Sequence, residues 1–545
     1  MKSLRLVLAL SASLLFADTY PRQFGVDVQH YVFRVTLSDD NDEIAGETTV
    51  DLRFVKDGVA QFTLDLVSEK ASEKGGKGMA VSEVSANGIA LPYVHSADRL
   101  SITLPAAPQA GERRQVTVKY RGVPGGGLKF VKNKYGERGM FSANWPDQAR
   151  QWLPTIDHPY DKATSEFVVT APARYQVVAN GLLVEEIDLG DGRRVTHWSE
   201  SVPIATWLNN IGVAQFAWRR FGTAAGVPLE TWVFHQDRAL GMATFEEPTR
   251  QAIEFYSDHI GPYPYQKLAQ VQNGNADGGG MEHASAIFYG QNAVNGVPAF
   301  SLVAHETAHQ WFGDSVTEKD WDDVWLSEGF ATYFALLCSE HYQGRDVFVA
   351  GLKRSRAAVF NTEKRLPGVA VVQDKPWKGI PNGVVYQKGG WTLHMLRGVL
   401  GTGKFWDGIR EYYRRYRDRN ASSDDFRKVM EETSGADLGW FFAQWLYRPG
   451  SPVVEGGWRY NAETKKIEIA LAQTQAGEGY RLPMEVGVKA MGAKGGAQGA
   501  APTKFEKIEM TRKQQKFEIA ADKEPTAVEL DPNTWVLMDA RFSRH

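Results

Sequence analysis

His305-Glu306-Thr307-Ala308-His309 is the stretch that decides the fold, together with Glu328, which follows after eighteen intervening residues. On an α-helix, positions i and i+4 lie on one face, so both imidazoles can reach a single metal ion. Apolar residues recur around the motif between residues 300 and 312, which predicts a largely buried helix. The motif therefore predicts a metal site on a helix, with Glu306 beside the metal.

Glu328 is the candidate for the third protein ligand that a catalytic zinc ion needs besides one position left for water. It lies in a second segment with an apolar helical pattern, and the short connection 313–323 lets this helix fold back beside the first. A buried carboxylate without a partner is costly, and a metal ion would supply the partner. A structural zinc site would instead be closed by four protein ligands, usually with Cys. We therefore predict one zinc ion per chain, bound by His305, His309 and Glu328.

This arrangement predicts a hydrolase. Zinc lowers the pKa of its bound water towards neutrality, and Glu306 accepts the proton as the water attacks a carbonyl group. The same carboxyl group then delivers the proton to the leaving amine. The tetrahedral oxyanion needs a hydrogen-bond donor besides zinc, and the spacing of the motif alone does not identify it.

The motif with its distant glutamate resembles the zinc signature of the aminopeptidase N and leukotriene hydrolase family of gluzincin metallopeptidases. Further segments agree with that family in order and spacing over about residues 140–455, and jointly they are highly specific. They are Gly261-Pro-Tyr-Pro-Tyr265, Gly279-Gly-Met-Glu-His283, Val385-Tyr-Gln-Lys-Gly389, Phe441-Phe-Ala-Gln-Trp445 and Gly450-Ser-Pro452. The resemblance implies a zinc aminopeptidase that acts on peptides with a free N-terminus.

The resemblance also implies roles for further residues. Tyr386 would donate its phenolic proton to the oxyanion. Glu282 would bind the free α-ammonium group of the substrate, because a carboxylate at a fixed distance from zinc measures one residue from the N-terminus. Gly279 and Gly280 would allow close approach of the backbone, with the peptide pairing against the edge strand that precedes them, and Met281 belongs to the same substrate-binding segment.

The chain departs from the family pattern at two positions. His283 stands where the family motif ends in Asn, and Trp145 stands where many members have a Gln or Glu that helps to bind the ammonium group. Amine recognition then depends on Glu282 alone or on a neighbour such as Asn144. Alternatives that stay open are an endopeptidase or an epoxide hydrolase with the same site, and a non-catalytic binding scaffold that has kept the fold.

Composition excludes some other classes of protein. With 62 Lys and Arg against 65 Asp and Glu, the net charge of −3 indicates no basic surface for nucleic acid.

The N-terminal segment is typical of a signal peptide, here residues 1–17. It has two basic residues, an apolar run from Leu6 to Phe16 and the small Ala17. We therefore expect export to the periplasm or the extracellular medium, and no later segment is apolar enough to predict a transmembrane helix. The single Cys338 excludes an intrachain disulfide and is predicted to be a buried thiol. The sequence leaves the oligomeric state open.

A chain of 545 residues is too long for one hydrophobic core, so several domains are expected. Alternating apolar and polar residues predict strands at 31–37, 48–54 and 115–120, helical patterns begin near Thr249, and strands return after Pro449. We predict a multidomain α+β protein without the C-terminal helical domain of many family members. Its parts are an N-terminal antiparallel β domain (18–220), a thermolysin-like mixed α/β catalytic domain (221–448) and a C-terminal Ig-like β-sandwich (449–545).

Overall fold

The alternation of apolar and polar residues places the N-terminal part of the chain in β-strands. In the strand Lys162–Pro172, every second residue is buried, as expected where successive side chains point to opposite faces of a sheet. The computed structural model describes residues 20–69, 76–372, 381–489 and 503–545. The predicted signal peptide at residues 1–17 lies outside the described residues.

The N-terminal strands belong mainly to three sheets. They are β1 (Val26–Thr36), β2 (Ile44–Phe54), β3 (Gln61–Asp65), β4 (Gly78–Ala86), β5 (Ile89–Ala90), β6 (Tyr93–Ser96), β7 (Arg99–Thr103), β8 (Arg113–Val123), β9 (Gly127–Lys132), β10 (Arg138–Ala143), β11 (Lys162–Pro172), β12 (Gln176–Ala179), β13 (Leu182–Asp188), β14 (Arg193–Ala205) and β15 (Ile211–Ala214). The sheets have the orders β13-β14-β11-β1-β2-β8-β4-β5, β12-β15-β10-β9 and β3-β7-β6.

The prediction of an N-terminal β domain is confirmed, but its pairing is not purely antiparallel. β1 and β11 pair in parallel in the middle of the largest sheet, with Phe33 opposite Phe167. A parallel pair needs a long crossover, and the chain between these two strands is long enough to provide one. The alternating pattern within each strand could not distinguish the two directions, because it reports only which face is buried.

The central part of the chain adds strands and helices. They are β16 (Phe216–Ala224), β17 (Val227–Phe234), α1 (Arg238–His259), β18 (Leu268–Gln272), β19 (Gly280–Met281), β20 (Ala286–Tyr289), α2 (Phe300–His309), β21 (Val316–Glu318), α3 (Trp325–Gln343), α4 (Arg345–Arg365), α5 (Gly389–Leu400), α6 (Thr402–Tyr416), β22 (Arg419–Ala421), α7 (Ser423–Ser434) and α8 (Gly439–Trp445). β16 to β20 form a sheet in the order β16-β17-β18-β20-β19, which leaves β19 at an edge. The predicted boundary between residues 220 and 221 falls within β16.

Helix α1 begins eleven residues before the helical pattern predicted from Thr249. Pro248 lies inside this helix, where a proline normally interrupts the hydrogen bonding. Proline has no N–H and so leaves the carbonyl of Thr244 without its helical donor. In the structure, the backbone N–H of Ala299, just before α2, donates to that carbonyl at 3.0 Å. A contact from a distant part of the chain therefore satisfies the carbonyl group that the proline leaves free.

The C-terminal part returns to strands in two sheets. They are β23 (Val453–Asn461), β24 (Lys466–Gln473), β25 (Leu482–Lys489), β26 (Thr503–Met510), β27 (Gln514–Ala520), β28 (Ala527–Leu530) and β29 (Asp539–Arg544), in the orders β27-β24-β23-β29 and β26-β25-β28. The alternation of apolar and polar residues predicts strands at 466–471, 484–488 and 527–530, and these lie within β24, β25 and β28. Residues 492–501 are rich in glycine and alanine, which predicts a loop, and they lie outside the described residues.

His394 on α5 joins the central part to the C-terminal part. Its Nε2 donates to the carbonyl of Thr534 at 2.9 Å, and its Nδ1 accepts a hydrogen bond from the Tyr333 hydroxyl at 3.1 Å. The Trp535 ring stacks on the imidazole at 4.9 Å between ring centroids. Burial lowers the pKa of His394 to about 3, so both hydrogen bonds are made by the neutral ring.

Two further predictions concern burial and membranes. Cys338 is fully buried on α3, as predicted. Among the described residues, no helix has both the length and the hydropathy needed to cross a membrane.

Candidate active site

Helices α2 and α3 bring the three predicted metal ligands together. The Nε2 atoms of His305 and His309 lie 3.2 Å apart, and Glu328 Oε2 lies 3.5 Å from the first and 3.4 Å from the second. Tetrahedral zinc with ligand bonds of about 2.0–2.1 Å places its donor atoms about 3.3 Å apart. The three atoms thus have the mutual spacing that one zinc ion requires.

The electrostatics of this cluster also fit a cation. Glu328 is 5% exposed, and its Oε2 is buried without a hydrogen-bond partner. Burial opposes its ionisation, but the two imidazoles lower the pKa of Glu328 to about 2, so the group stays a carboxylate. With Glu282 and Glu306 beside it, the cluster gathers three buried carboxyl groups that a divalent cation would balance.

Two residues that the sequence reasoning missed hold the ligands in place. Ser327 Oγ lies 2.9 Å from Nδ1 of His309, which leaves Nε2 of that ring free for the metal. Gln310 donates from Nε2 to the backbone carbonyl of Glu282 at 2.9 Å and accepts from the backbone N–H of Ser285 at 2.8 Å. Gln310 therefore ties the helix of the metal ligands to the loop that carries Glu282. A buried amide directly after the motif, in an otherwise apolar segment, was the available signal.

Glu306 lies against the edge strand β19. A Cβ atom placed on Gly280 would lie 2.5 Å from both Cγ and Oε1 of Glu306, so only glycine leaves room for this carboxylate. Burial, and next the nearby Glu282, raise the pKa of Glu306 well above its ordinary value. A carboxyl group with a raised pKa next to a metal site suits the transfer of protons in both directions.

Gly280 and Met281 themselves form the edge strand, so the prediction that the edge strand precedes them is wrong. They pair antiparallel with β20, and the preceding strand β18 lies inside the sheet between β17 and β20. The physical reason is that the chain reverses direction between β18 and β19, and Gly279 extends the pairing with β20 because its carbonyl accepts from the N–H of Gly290 at 3.0 Å. The free edge available to a substrate is thus the glycine segment itself.

Glu282 follows this strand and lies beside the metal ligands. Its Oε1 is 3.8 Å from Nδ1 of His309, and the residue is 5% exposed. It lines the same cleft as the metal ligands. A carboxylate is therefore held at a fixed place next to the metal site, on the side of the last residue of α2.

Tyr386 completes the site from a π-helical turn, Gly383–Lys388, that leads into α5. Its ring lies parallel to the His305 imidazole with 6.2 Å between centroids. Burial and the nearby Glu328 raise the pKa of the Tyr386 phenol far above its ordinary value. The phenol consequently keeps its proton at neutral pH and can donate a hydrogen bond into the cleft.

The metal ligands, Glu282, Glu306 and Tyr386 line one cleft of about 810 Å³. The described residues that line it are Trp145, Gly279, Gly280, Met281, Glu282, Ser301, Leu302, His305, Glu306, His309, Glu328, Thr332, Ala335, Leu336, Gly351, Arg354, Ser355, Ala358, Asn382, Tyr386 and Gln387. The predicted metal ligands, Glu306, Tyr386 and the predicted substrate-binding residues 279–282 are all among them.

The two departures from the family pattern differ in their position. Trp145 lines the cleft, and its ring meets Trp321 edge to face at 6.0 Å between centroids. His283 is fully buried against Phe288, outside the lining of the cleft. Asn144 is also unavailable to a substrate, because it is fully buried and its side chain bonds to the Asn209 carbonyl and the Trp152 indole.

Comparison with known proteins gives matches along most of the chain. The Peptidase M1 N-terminal domain matches residues 27–208, and the Peptidase family M1 domain matches residues 245–445. Glutamyl aminopeptidase of Bitis rhinoceros is 27% identical over 363 residues, which are 62% of this chain and 38% of that protein. Tricorn protease-interacting factor F2 of Thermoplasma volcanium is 26% identical over 348 residues, 60% of this chain and 42% of that protein. The chain thus spans about two fifths of the length of these relatives.

Solved structures match over a larger share of both chains. The M1 zinc metallopeptidase of Deinococcus radiodurans has a TM-score of 0.66 at 26% identity, covering 78% of this chain and 94% of that one. A mutant of that enzyme solved with a Tyr-Ser-Ala substrate matches with the same TM-score, identity and coverage. The donor atoms described above and these matches agree on zinc as the metal.

Proposed function

Because the chain belongs to peptidase family M1, we propose that it is a zinc aminopeptidase that hydrolyses the first peptide bond of peptides with a free N-terminus. The observation that carries the proposal is the joint placement of the three metal ligands and of Glu282 in one cleft. The ligand set supports hydrolysis, and the additional buried carboxylate supports recognition of an ammonium group.

His305, His309 and Glu328 would hold the zinc ion, which would act as a Lewis acid towards the scissile carbonyl and would lower the pKa of a bound water molecule. Glu306 removes a proton from the attacking water and then gives it to the nitrogen of the leaving peptide. Tyr386 donates a hydrogen bond from its protonated phenol to the oxyanion as the carbonyl becomes tetrahedral.

Glu282 fixes where the chain is cut. Its carboxylate receives the α-ammonium group, and because it lies 3.8 Å from Nδ1 of His309 it holds that group close to the metal site. A peptide that lies along β19 can pair with the free backbone edge of Gly280 and Met281. An acetylated N-terminus carries no charge for Glu282 and should be a poor substrate.

The test uses the zinc-loaded protein and one decapeptide with either a free or an acetylated N-terminus, with products followed over time by mass spectrometry. The proposal predicts successive losses of single residues from the free peptide only. Internal cleavage of both peptides would instead identify an endopeptidase. No cleavage of either, at full zinc occupancy, would contradict the proposal and favour a binding scaffold.

We also propose three features of the whole protein. The two C-terminal sheets form an Ig-like sandwich, supported by their alternating buried residues and testable by a crystal structure. The catalytic domain is thermolysin-like, supported by two helices that present the ligands beside a sheet with an exposed edge. Residues 1–17 direct export to the periplasm or the medium, and N-terminal sequencing of the mature protein should begin near Asp18.

A further inference from the structure

The cleft extends well beyond the metal site on the side away from Glu282. Glu282 lies beside His309, the last residue of α2, whereas Ser301 and Leu302 on the first turn of that helix line the opposite end. From there the wall continues along α3 to Leu336 and then onto α4. With the substrate's ammonium group at Glu282, this far end receives the residues that follow the cleaved bond.

Arg354 on α4 is the charged side chain at that end. Of the described residues that line the cleft, it alone is Lys or Arg. It is exposed, and within the described part of the chain it has no ion pair or hydrogen bond. Of the other arginines of α4, Arg345 pairs with Glu340 and Arg365 bonds to the carbonyl of Asn361. Arg356 likewise has no ion pair or hydrogen bond within the described residues, but it does not line the cleft. An unpaired guanidinium over a substrate cleft is available to an anionic group of a ligand.

The rise along α3 sets the scale of the separation between the metal site and this guanidinium. Gly351 packs directly on Leu336, and Arg354 Nη2 lies 3.8 Å from the position that a Cβ on Gly351 would take. Leu336 is eight residues after Glu328 on α3, which corresponds to about 12 Å along the helix axis. An extended peptide advances about 3.3–3.6 Å per residue, so two to three residues beyond the cleaved bond, plus a hydrogen bond of about 3 Å, span this distance.

We propose that Arg354 binds a carboxylate two or three residues beyond the scissile bond, namely the C-terminal carboxylate of a tripeptide or tetrapeptide. The inference rests on the proposed function and adds a substrate class to it. Glu282 and Arg354 together recognise the two opposite charges of a short peptide and so measure its length. An Asp or Glu side chain at the same place offers the same chemistry, and the experiment separates the two sources.

The experiment compares kcat/KM for one tripeptide and one tetrapeptide with free C-termini, their C-terminal amides, and an amidated tripeptide with Asp in third position. We expect the free acids to exceed the amides about tenfold, mainly through KM, because a charge-assisted bond remote from the reacting atoms stabilises substrate and transition state alike. Arg354→Ala should remove this preference, and Arg354→Lys should keep part of it. If the free acids and their amides are hydrolysed with equal kcat/KM and only the Asp-containing amide gains, the site recognises acidic side chains and the C-terminal assignment is overturned.

Lys353→Ala is the matched control, because it removes the same charge from the neighbouring position of α4 without lining the cleft. Lys353→Ala should keep the tenfold preference for free acids. If it loses this preference as fully as Arg354→Ala does, a direct contact between Arg354 and the substrate carboxylate is refuted. An amino acid p-nitroanilide, which lacks residues beyond the cleaved bond, should be hydrolysed equally by wild type and Arg354→Ala.

The outcomes separate this inference from the proposed function. Equal kcat/KM for acids and amides in the wild type, with normal hydrolysis of the p-nitroanilide, would refute only the role of Arg354. A zinc-loaded wild type that releases no residue from any of these substrates would refute both.

Discussion

Replacing Gly280 by alanine tests how tightly the edge strand and the general base are fitted together. The added methyl carbon would stand 2.5 Å from Cγ and Oε1 of Glu306, against about 3.5–4.0 Å for ordinary contacts between carbon atoms. The carboxylate or the strand must therefore move by about 1 Å. A misplacement of this size can cost about 100-fold in rate, so we expect kcat of Gly280→Ala to fall by about that factor.

The assay is steady-state hydrolysis of an amino acid p-nitroanilide, with zinc content measured by mass spectrometry and the melting temperature by differential scanning fluorimetry. Zinc content should stay at one per chain, because the three atoms nearest to the added methyl group all belong to Glu306, which is not one of the metal ligands. Gly278→Ala is the control, since a Cβ there meets nothing within 4 Å. The kcat of Gly278→Ala should stay within about threefold of the wild-type value, as expected for a substitution that creates no steric overlap. A Gly280→Ala enzyme that keeps its full kcat would refute the argument that Glu306 is held against β19 in its working position.

Three further predictions concern single side chains. Glu306→Gln should keep zinc and lose about 10³-fold or more of kcat, as for removal of a general base, and full activity would contradict that role. Tyr386→Phe should lower kcat by about 10²–10³-fold with KM kept, and a change in KM alone would argue against oxyanion stabilisation. The native pKa of His394, about 3, lies below its unfolded value of 6.5, so the unfolded chain binds the proton first and stability falls as pH drops below 6.5. The free energy of unfolding therefore decreases by about 2 kcal/mol at pH 5. In His394→Gln this contribution is absent, so the melting temperature should fall less between pH 8 and pH 5 than in the wild type.

The sequence predicted the metal ligands because their geometry is local. His305 and His309 share a helix face whatever the rest of the chain does, and a buried Glu328 needs a partner in any fold. Strands could be predicted for the same reason, because the alternation of apolar and polar residues within a strand shows locally which face is buried. What could not be predicted is pairing across long distances, as in the parallel contact of β1 with β11 or the donation from Ala299 to the carbonyl that Pro248 leaves free.

The residues around the ligands illustrate the same limit. Ser327 and Gln310 are ordinary polar residues in sequence, and only the packing of α3 and of the Glu282 loop against α2 gives them partners. Asn144 was a reasonable candidate for the substrate amine because it is next to Trp145. In the structure, its side chain bonds to the Asn209 carbonyl and the Trp152 indole instead. Closeness to Trp145 in the sequence could not reveal these contacts.

The N-terminal β domain takes part in placing Glu282. Asn180, which follows β12, donates to the carbonyl of Ala284 at 2.7 Å, and the N–H of Gly181 donates to Ser285 Oγ at 2.7 Å. Ser285 has a φ of 62°, a left-handed conformation that is unfavourable for a residue other than glycine and needs such contacts to hold it. Gln310 bonds to the same loop from the helix of the metal ligands. The carboxylate proposed to measure the N-terminus is thus held from two sides, and neither part of the chain positions it alone.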